Sequence, residues 1–270
     1  MPVDALVLVL LAAGLHALWN VLVAGAPDIE ASMAVALAVG VVAFAPVAAA
    51  TWRVEGAAVP FIVVSAALEL AYFGLLVRAY RRDDLSLVYP LTRGLAPVLV
   101  LIVSVAVLGS GTSIGEVVGV FVVCIGILLV RGLHGRADWA ALALALTIAG
   151  AIAAYTLVDR SGVRHANPIA YLELVLVVPA VTYLLVVGSG RAHTALTARA
   201  AAAGLASFGA YVLVLAALRL ASAASVAAVR ESSVVIAVGL AALVLGERVT
   251  RERFAGAVLV AGGVALIALS

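Results

Sequence analysis

Ten apolar stretches, separated by short polar breaks, run the length of this 270-residue chain. They cover residues 3–24, 32–51, 57–77, 85–108, 116–130, 139–158, 168–188, 200–218, 222–245 and 253–269. A helix needs roughly 17 to 24 apolar residues to cross the hydrocarbon core of a bilayer, so the pattern predicts an all-α integral membrane protein with ten transmembrane helices. The breaks carry turn-forming and charged residues: Pro27-Asp28, Arg53 to Gly56, Arg81 to Asp84, Gly109 to Gly115, Arg131 to Asp138, Asp159 to Pro168, Gly188 to Arg199 and Gly246 to Arg253. None is long enough to hold a separate soluble domain. Ala24-Gly25-Ala26 resembles a small-residue cleavage site, but no basic flank precedes the first stretch and Pro27 follows it. Residues 3–24 therefore read as a helix and not as a signal peptide.

A shift of 137 residues lays one part of this pattern on another. It carries Arg93 onto Arg230, Leu108-Gly109 onto Leu245-Gly246, Gly119 onto Gly256 and Gly126 onto Gly263. Residues 85–130 match 222–267 at nine positions in all. Valine and leucine matches come easily in such a chain, whereas the arginine and the glycines do not. The chain then divides into two five-helix repeats, residues 1–133 and 134–270. An odd number of spans per repeat inserts the halves with opposite polarity, the inverted-repeat plan that places a solute site between the repeats near the midplane.

Composition agrees: 66% of the residues are apolar, 11% are charged and the mean hydropathy is +1.29, too little polar surface to coat a soluble globule. The lipid bilayer is the expected partner. The sixteen basic residues, all arginine, are scattered between apolar segments, which is no nucleic-acid footprint. Cys124 stands alone in an apolar segment, and His134, His165 and His193 are isolated in breaks, so neither a metal site nor a cofactor is expected. With a cytoplasmic N-terminus the inner loops would hold four arginines and the outer loops ten, so the positive-inside rule favours both termini outside.

The polar residues inside the spans carry the candidate chemistry. Arginine at mid-bilayer depth is expensive, so Arg93 and Arg230 at equivalent points of a repeat read as functional. Tyr89, Pro90, Arg93 and Pro97 share a helix face, and Pro97 withholds an N–H from the Arg93 carbonyl, which predicts a kink exposing backbone polarity to a cavity. Ser233, one turn from Arg230, extends that polar face. Arg230 and Glu231 point about 100° apart on a regular helix, each free to find a partner elsewhere. Glu69, Glu231 and Glu173 are the acids available to balance the arginines, and Glu69 is the best candidate for carrying a coupling proton. His16, Trp19 and Asn20 form one face of the first helix, and Tyr72 lies one turn from Glu69. Two arginines against two acids predict an anionic or zwitterionic guest held by guanidinium forks. The glycine pairs Gly119/Gly126 and Gly256/Gly263 mark close helix contacts, either scaffold or a homodimer face.

Leu-Gly-Glu-Arg at 245–248, followed by Gly256 and Gly262-Gly263, resembles the end of the repeat that defines the drug/metabolite transporter superfamily, specifically its ten-helix EamA type. His16-Ala-Leu-Trp-Asn20, Tyr89-Pro-Leu-Thr-Arg-Gly94 and Arg230-Glu-Ser-Ser233 are similar to the branch with His-x-x-Trp-Asn in its first helix. The first half departs from the pattern, with Gly109-Ser110-Gly111 where Gly-Glu-Arg is usual. The resemblance implies a ten-helix basket, alternating access, cytoplasmic termini, and movement of a small-molecule metabolite across a bacterial plasma membrane without ATP. The competing reading from the residues is an exporter of cationic or amphipathic drugs. An intramembrane enzyme is disfavoured, because the spans hold one histidine, no Gly-x-Ser-x-Gly and no His-Glu-x-x-His.

Overall fold

The computed structural model describes residues 1–81, 85–131, 139–236, 239 and 250–270; the side chains of 77, 80, 81, 85–87, 89, 90 and 131 are outside the described set. The described residues are almost wholly helical. In chain order the helices are α1 (Val3–Ala24), α2 (Ile29–Ala50), α3 (Val59–Arg81), α4 (Leu85–Ala106), α5 (Ile114–Arg131), α6 (Trp139–Gly162), α7 (Pro168–Val187), α8 (Ser189–Ala195), α9 (Ala198–Leu218), α10 (Ala223–Arg230) and α11 (Arg251–Leu269). A single 3-10 turn, Gly56–Ala58, leads into α3. Among the described residues seven helices are long and apolar enough to cross a membrane, and α4 and α5 contribute the shorter apolar runs Leu91–Ala106 and Ile114–Val130. This is the architecture of a multi-pass membrane protein.

The helix starts sit where the polar breaks placed them, and most are capped. Asp28 accepts from the Ala31 N–H, Thr197 from Ala200, Ser222 from Ser225 and Thr250 from Arg253. Asn167 caps α7 with Pro168 at its first position, where the missing N–H costs nothing. Three boundaries differ from the sequence reading. The Gly188 to Arg199 break contains the short helix α8, whose Arg191 reaches back to Asp28 and Glu30 on the far side of the α1–α2 turn. Helix α6 continues one turn beyond its expected end, which takes Asp159 out of a loop and buries it completely. His165 is not simply solvated: its Nδ1 lies 3.1 Å from Glu55, in a strap where residues 53–55 pair with 165–167.

The fourth difference bears on the site. The ninth stretch does not form one continuous helix. α10 stops at Arg230 and the chain turns at Glu231 and Ser232 before 233–236 become helical again. Through this turn the N–H groups of Glu231, Ser232 and Val234 bond three residues back, to Ala228, Val229 and Glu231, a locally tightened 3-10 winding. α4 stays helical through Pro97 to Ala106. The broken helix is therefore the one carrying Arg230.

Helix packing follows a regular scheme. α5 lies along α11, α2 along α7, α1 along α9, and α4 and α3 along α6. The α5–α11 contact is the most extensive, and the glycine pairs make it. A Cβ at Gly126 would stand 2.8 Å from the Gly256 carbonyl oxygen, and one at Gly119 would stand 2.9 Å from that of Gly263. The glycines are thus spent on a contact within the chain, which lets two backbones approach without side chains between them.

Candidate functional site

A cavity of about 110 Å³ opens into the middle of the bundle. Its walls come from α1, α2, α3 and α4 on one side of the chain and from α6, α7, α9 and α10 on the other. Of the residues singled out from sequence, His16, Trp19, Glu69, Tyr72, Arg93 and Arg230 line it together, although they come from four helices far apart in the chain.

The charged groups form one cluster. Arg93 and Arg230 are each about 5% exposed, and both lean on the same oxygen of Glu231. The Arg93 Nη1 lies 3.3 Å from Glu231 Oε1, and the Arg230 Nη2 lies 3.7 Å from it. Glu231 thus finds a partner on another helix, Arg93 of α4, and also lies close to its own neighbour Arg230. Glu231 is 1% exposed and does not line the cavity. It lies behind the two guanidiniums as their shared counter-charge. One carboxylate shared by two guanidiniums leaves the group net positive.

The two arginines are held differently. Arg93 also points its Nη2 at His16 Nε2, 2.8 Å away. Arg230 has no such second side chain, and its Nε is buried with no hydrogen-bond partner among the described residues. His16 is itself over-subscribed, because the Trp19 Nε1–H approaches its Nδ1 at 3.1 Å. A neutral imidazole offers one accepting nitrogen, so His16 accepts from only one of these donors at a time. A proton on Nδ1 keeps Arg93 and releases Trp19, and a proton on Nε2 does the reverse.

Glu69 is 5% exposed, faces the cavity and makes no hydrogen bond or ion pair among the described residues. The charges that act on it are Arg230, which attracts it, and Asp159, which repels it. Tyr72 beside it leads a file of edge-to-face rings, Tyr72 to Tyr155 at 5.9 Å and Tyr155 to Tyr211 at 6.0 Å.

Four expectations fall elsewhere. Asn20 does not reach the cavity; its amide donates to the His16 carbonyl at 2.7 Å, one turn back on its own helix. Ser233 is buried outside the cavity because the turn at 231–232 breaks the one-turn register with Arg230. Glu173 does not line the cavity either. The Tyr89 side chain and the Leu245 to Arg248 motif lie outside the described residues.

Sequence reasoning missed Asp159, Tyr155, Tyr211 and Phe208. Asp159 is fully buried, accepting from the Tyr171 hydroxyl at 2.9 Å and from the Tyr211 hydroxyl at 2.5 Å. Tyr211 also lines the cavity, so the acid is one hydroxyl removed from it. The available signal was the one-turn spacing of Tyr155 and Asp159, which continues the sixth apolar stretch past its expected end.

Residues 139–269, from α6 to the end of α11, match the EamA-like transporter family. The whole chain is similar in fold to a solved structure described as "Crystal structure of protein", with a TM-score of 0.74 at 15% identity, covering 98% of this chain and 97% of that one. An identity that low speaks for the fold alone. No curated protein matches the chain.

Proposed function

We propose that this chain is a secondary active transporter that moves a small anionic or zwitterionic metabolite across a bacterial plasma membrane by alternating access. The observation that carries the reading is the central cavity in which Arg93 and Arg230 share one carboxylate oxygen, with Arg230 left partly unpartnered. The Arg230 guanidinium is only partly compensated there, and a carboxylate, phosphonate or similar group completes it through paired N–H donors. The EamA-like match in the second half and the apolar helices support transport across a membrane as the activity.

The helix pairing supports the two-repeat plan with units 1–133 and 134–270. Exchanging the halves, with α8 set aside, turns the α1–α9 contact into α6–α3 and α4–α6 into α10–α1, and leaves α2–α7 and α5–α11 as self-partnered pairs. All of these contacts occur. A cavity walled by both halves is where an inverted repeat rocks about its site. His16 and Trp19 on the cavity wall are the residues of the His-x-x-Trp-Asn motif, and they set the orientation of Arg93.

Glu69 is the proposed proton carrier. Glu231 is already committed to two arginines, whereas Glu69 faces the cavity with no bonded partner. Protonated, Glu69 leaves the cavity positive and open to an anion; ionised, it competes with the anion for Arg230. Proton and anion then favour each other's binding, which is the thermodynamic condition for moving together.

One observation favours a second reading. The cavity wall is rich in rings, with Trp19, Tyr72, Phe73, Tyr155, Phe208 and Tyr211 around an unpaired Glu69, a setting that suits an amphipathic cation. The experiment that separates the two is thermal unfolding of purified protein against matched panels of anionic, zwitterionic and cationic metabolites, in wild type and Arg230→Gln. Stabilisation by acids that vanishes in the variant supports the proposed function. Stabilisation by cations, unchanged in Arg230→Gln and lost in Glu69→Gln, overturns it in favour of drug export. Proton-driven flux of the stabilising acid into proteoliposomes completes the test.

A further inference from the structure

A second pocket, of about 520 Å³, lies at the end of the bundle where α1, α5 and α10 begin and α6 and α9 end. Three arginines line it: Arg160 in the last turn of α6, Arg164 in the turn that follows, and Arg219 at the C-terminus of α9. They come from separate positions in the chain and converge only through the fold. None of the three forms a salt bridge or side-chain hydrogen bond among the described residues, and the Arg160 Nε is buried without a partner. The charges acting on Arg160 are Arg164, which repels it, and Glu116, which attracts it.

Glu116 is the acid that lines this pocket, and its oxygens are already occupied. Oε1 accepts from the Ser222 and Ser225 hydroxyls and Oε2 accepts from Thr112 at 3.0 Å. Ser222 is the N-cap of α10, and the Ser113 hydroxyl accepts from the Glu116 N–H in the first turn of α5. Two helix N-termini, with their partial positive charge, therefore open onto the same space as three guanidiniums that form no salt bridge among the described residues. Three guanidiniums facing one carboxylate that is already bonded to hydroxyls leave an excess of positive charge, which an anion offsets.

We propose that this pocket is a binding site for a phosphate-bearing anion, separate from the central cavity and independent of the transport reading. A carboxylate offers two oxygens and one guanidinium fork satisfies it, whereas a phosphate group offers more acceptors and matches several forks at once. Such a group reaches the site either as the headgroup of an anionic phospholipid or as a free phosphate. Leu220, which lines the pocket and is 49% exposed, and the neighbouring Ile114, 84% exposed, give an acyl chain an apolar surface to follow.

The test uses the full chain in neutral detergent and compares melting temperature on titration with phosphatidylglycerol, phosphatidylcholine and inorganic phosphate. Wild type, Arg164→Gln, the Arg160→Gln/Arg164→Gln/Arg219→Gln triple variant and Arg230→Gln are titrated in parallel. A saturable rise with phosphatidylglycerol, weaker with phosphatidylcholine, that needs at least about tenfold more lipid in the triple variant and persists in Arg230→Gln, supports a headgroup site. The same pattern with inorganic phosphate supports a free-anion site. Arg164 is exposed, so Arg164→Gln gives a reading even if the triple variant does not fold, and a weakened midpoint there counts in the same direction. No rise in wild type, a rise unchanged in Arg164→Gln and the triple variant, or one lost only in Arg230→Gln overturns the proposal; the last outcome would assign the anion to the central cavity.

Discussion

Arg93 and Arg230 occupy matching points of the repeated pattern, yet the helices that carry them behave differently. α4 runs unbroken past Arg93 to Ala106, while α10 ends at Arg230 and turns. Arg93 has Glu231 at 3.3 Å and His16 at 2.8 Å; Arg230 has Glu231 at 3.7 Å and an unpartnered Nε. A duplicated pattern thus sets where a charge sits in the bundle, and the local backbone sets how firmly it is held. Under the proposed function, the firmly held arginine braces the cavity and the loosely held one is the better hand for a guest.

The largest effect expected on this comparison comes from removing what the two arginines share. Glu231→Gln leaves two buried guanidiniums without their carboxylate, and breaking a buried pair in this way costs about 3–5 kcal/mol. The melting temperature of the detergent-purified variant should fall further than that of either arginine variant. A fall smaller than that of Arg93→Gln would mean that Glu231 is not the common anchor.

Next in size is the contrast between the arginines themselves. Arg230→Gln should weaken binding of the stabilising acid by about a hundredfold, the loss of a charge-assisted contact of roughly 1.5–3 kcal/mol, with little change in melting temperature without ligand. Arg93→Gln should lower both, because it releases His16 and Glu231 along with its own contact to the guest. Equal profiles for the two variants, from ligand titrations followed by unfolding, would erase the distinction drawn from their partners.

A smaller effect is expected where the two halves meet with equal roles. Gly126→Ala drives a methyl against the Gly256 carbonyl on α11, and overpacking of this kind costs about 1–3 kcal/mol. Gly14→Ala, with nothing near the added carbon, is the control on α1. Unfolding midpoints that do not separate these two variants would show that α5 and α11 have room to slide apart.

Much of this was legible in the chain. The apolar stretches located the helices because spacing and length are physical requirements of crossing a bilayer. His16, Trp19, Glu69, Tyr72, Arg93 and Arg230, which line one cavity, stood out as candidates because polar side chains inside apolar spans are too costly to be incidental. The rest depended on information that no single stretch carries. Asp159 sat next to Arg160 and looked like the start of a loop, and only the packing of α7 and α9 brings Tyr171 and Tyr211 onto it. Ser233 was misplaced because helical spacing was extended through a turn with no proline or glycine to announce it.

The smallest effect separates the buried charges of the site from those at the edge of the bundle. Asp28 caps α2 and accepts two bonds from Arg191 of α8, at 2.8 and 2.9 Å, with both partners largely exposed. Those guanidinium bonds first, and then the Ala31 N–H, hold its carboxyl below the ordinary range. A carboxyl depressed in the folded state contributes its stability above the unfolded value, about pH 4, and loses it as pH falls through the lower folded value. Asp28→Asn keeps the cap and removes the charge. At neutral pH the variant should therefore melt slightly below wild type, by an amount near the limit of detection for an exposed pair, and high salt should narrow the gap. As pH falls below about 4 and through the lower folded value, the two curves should converge, because wild type then loses the same charge. A gap that persists in acid would place the effect in the geometry of the α1–α2 turn and not in the ion pair. By contrast, the buried Glu231 cluster is shielded from solvent, so its variants should keep their stability deficit at high salt.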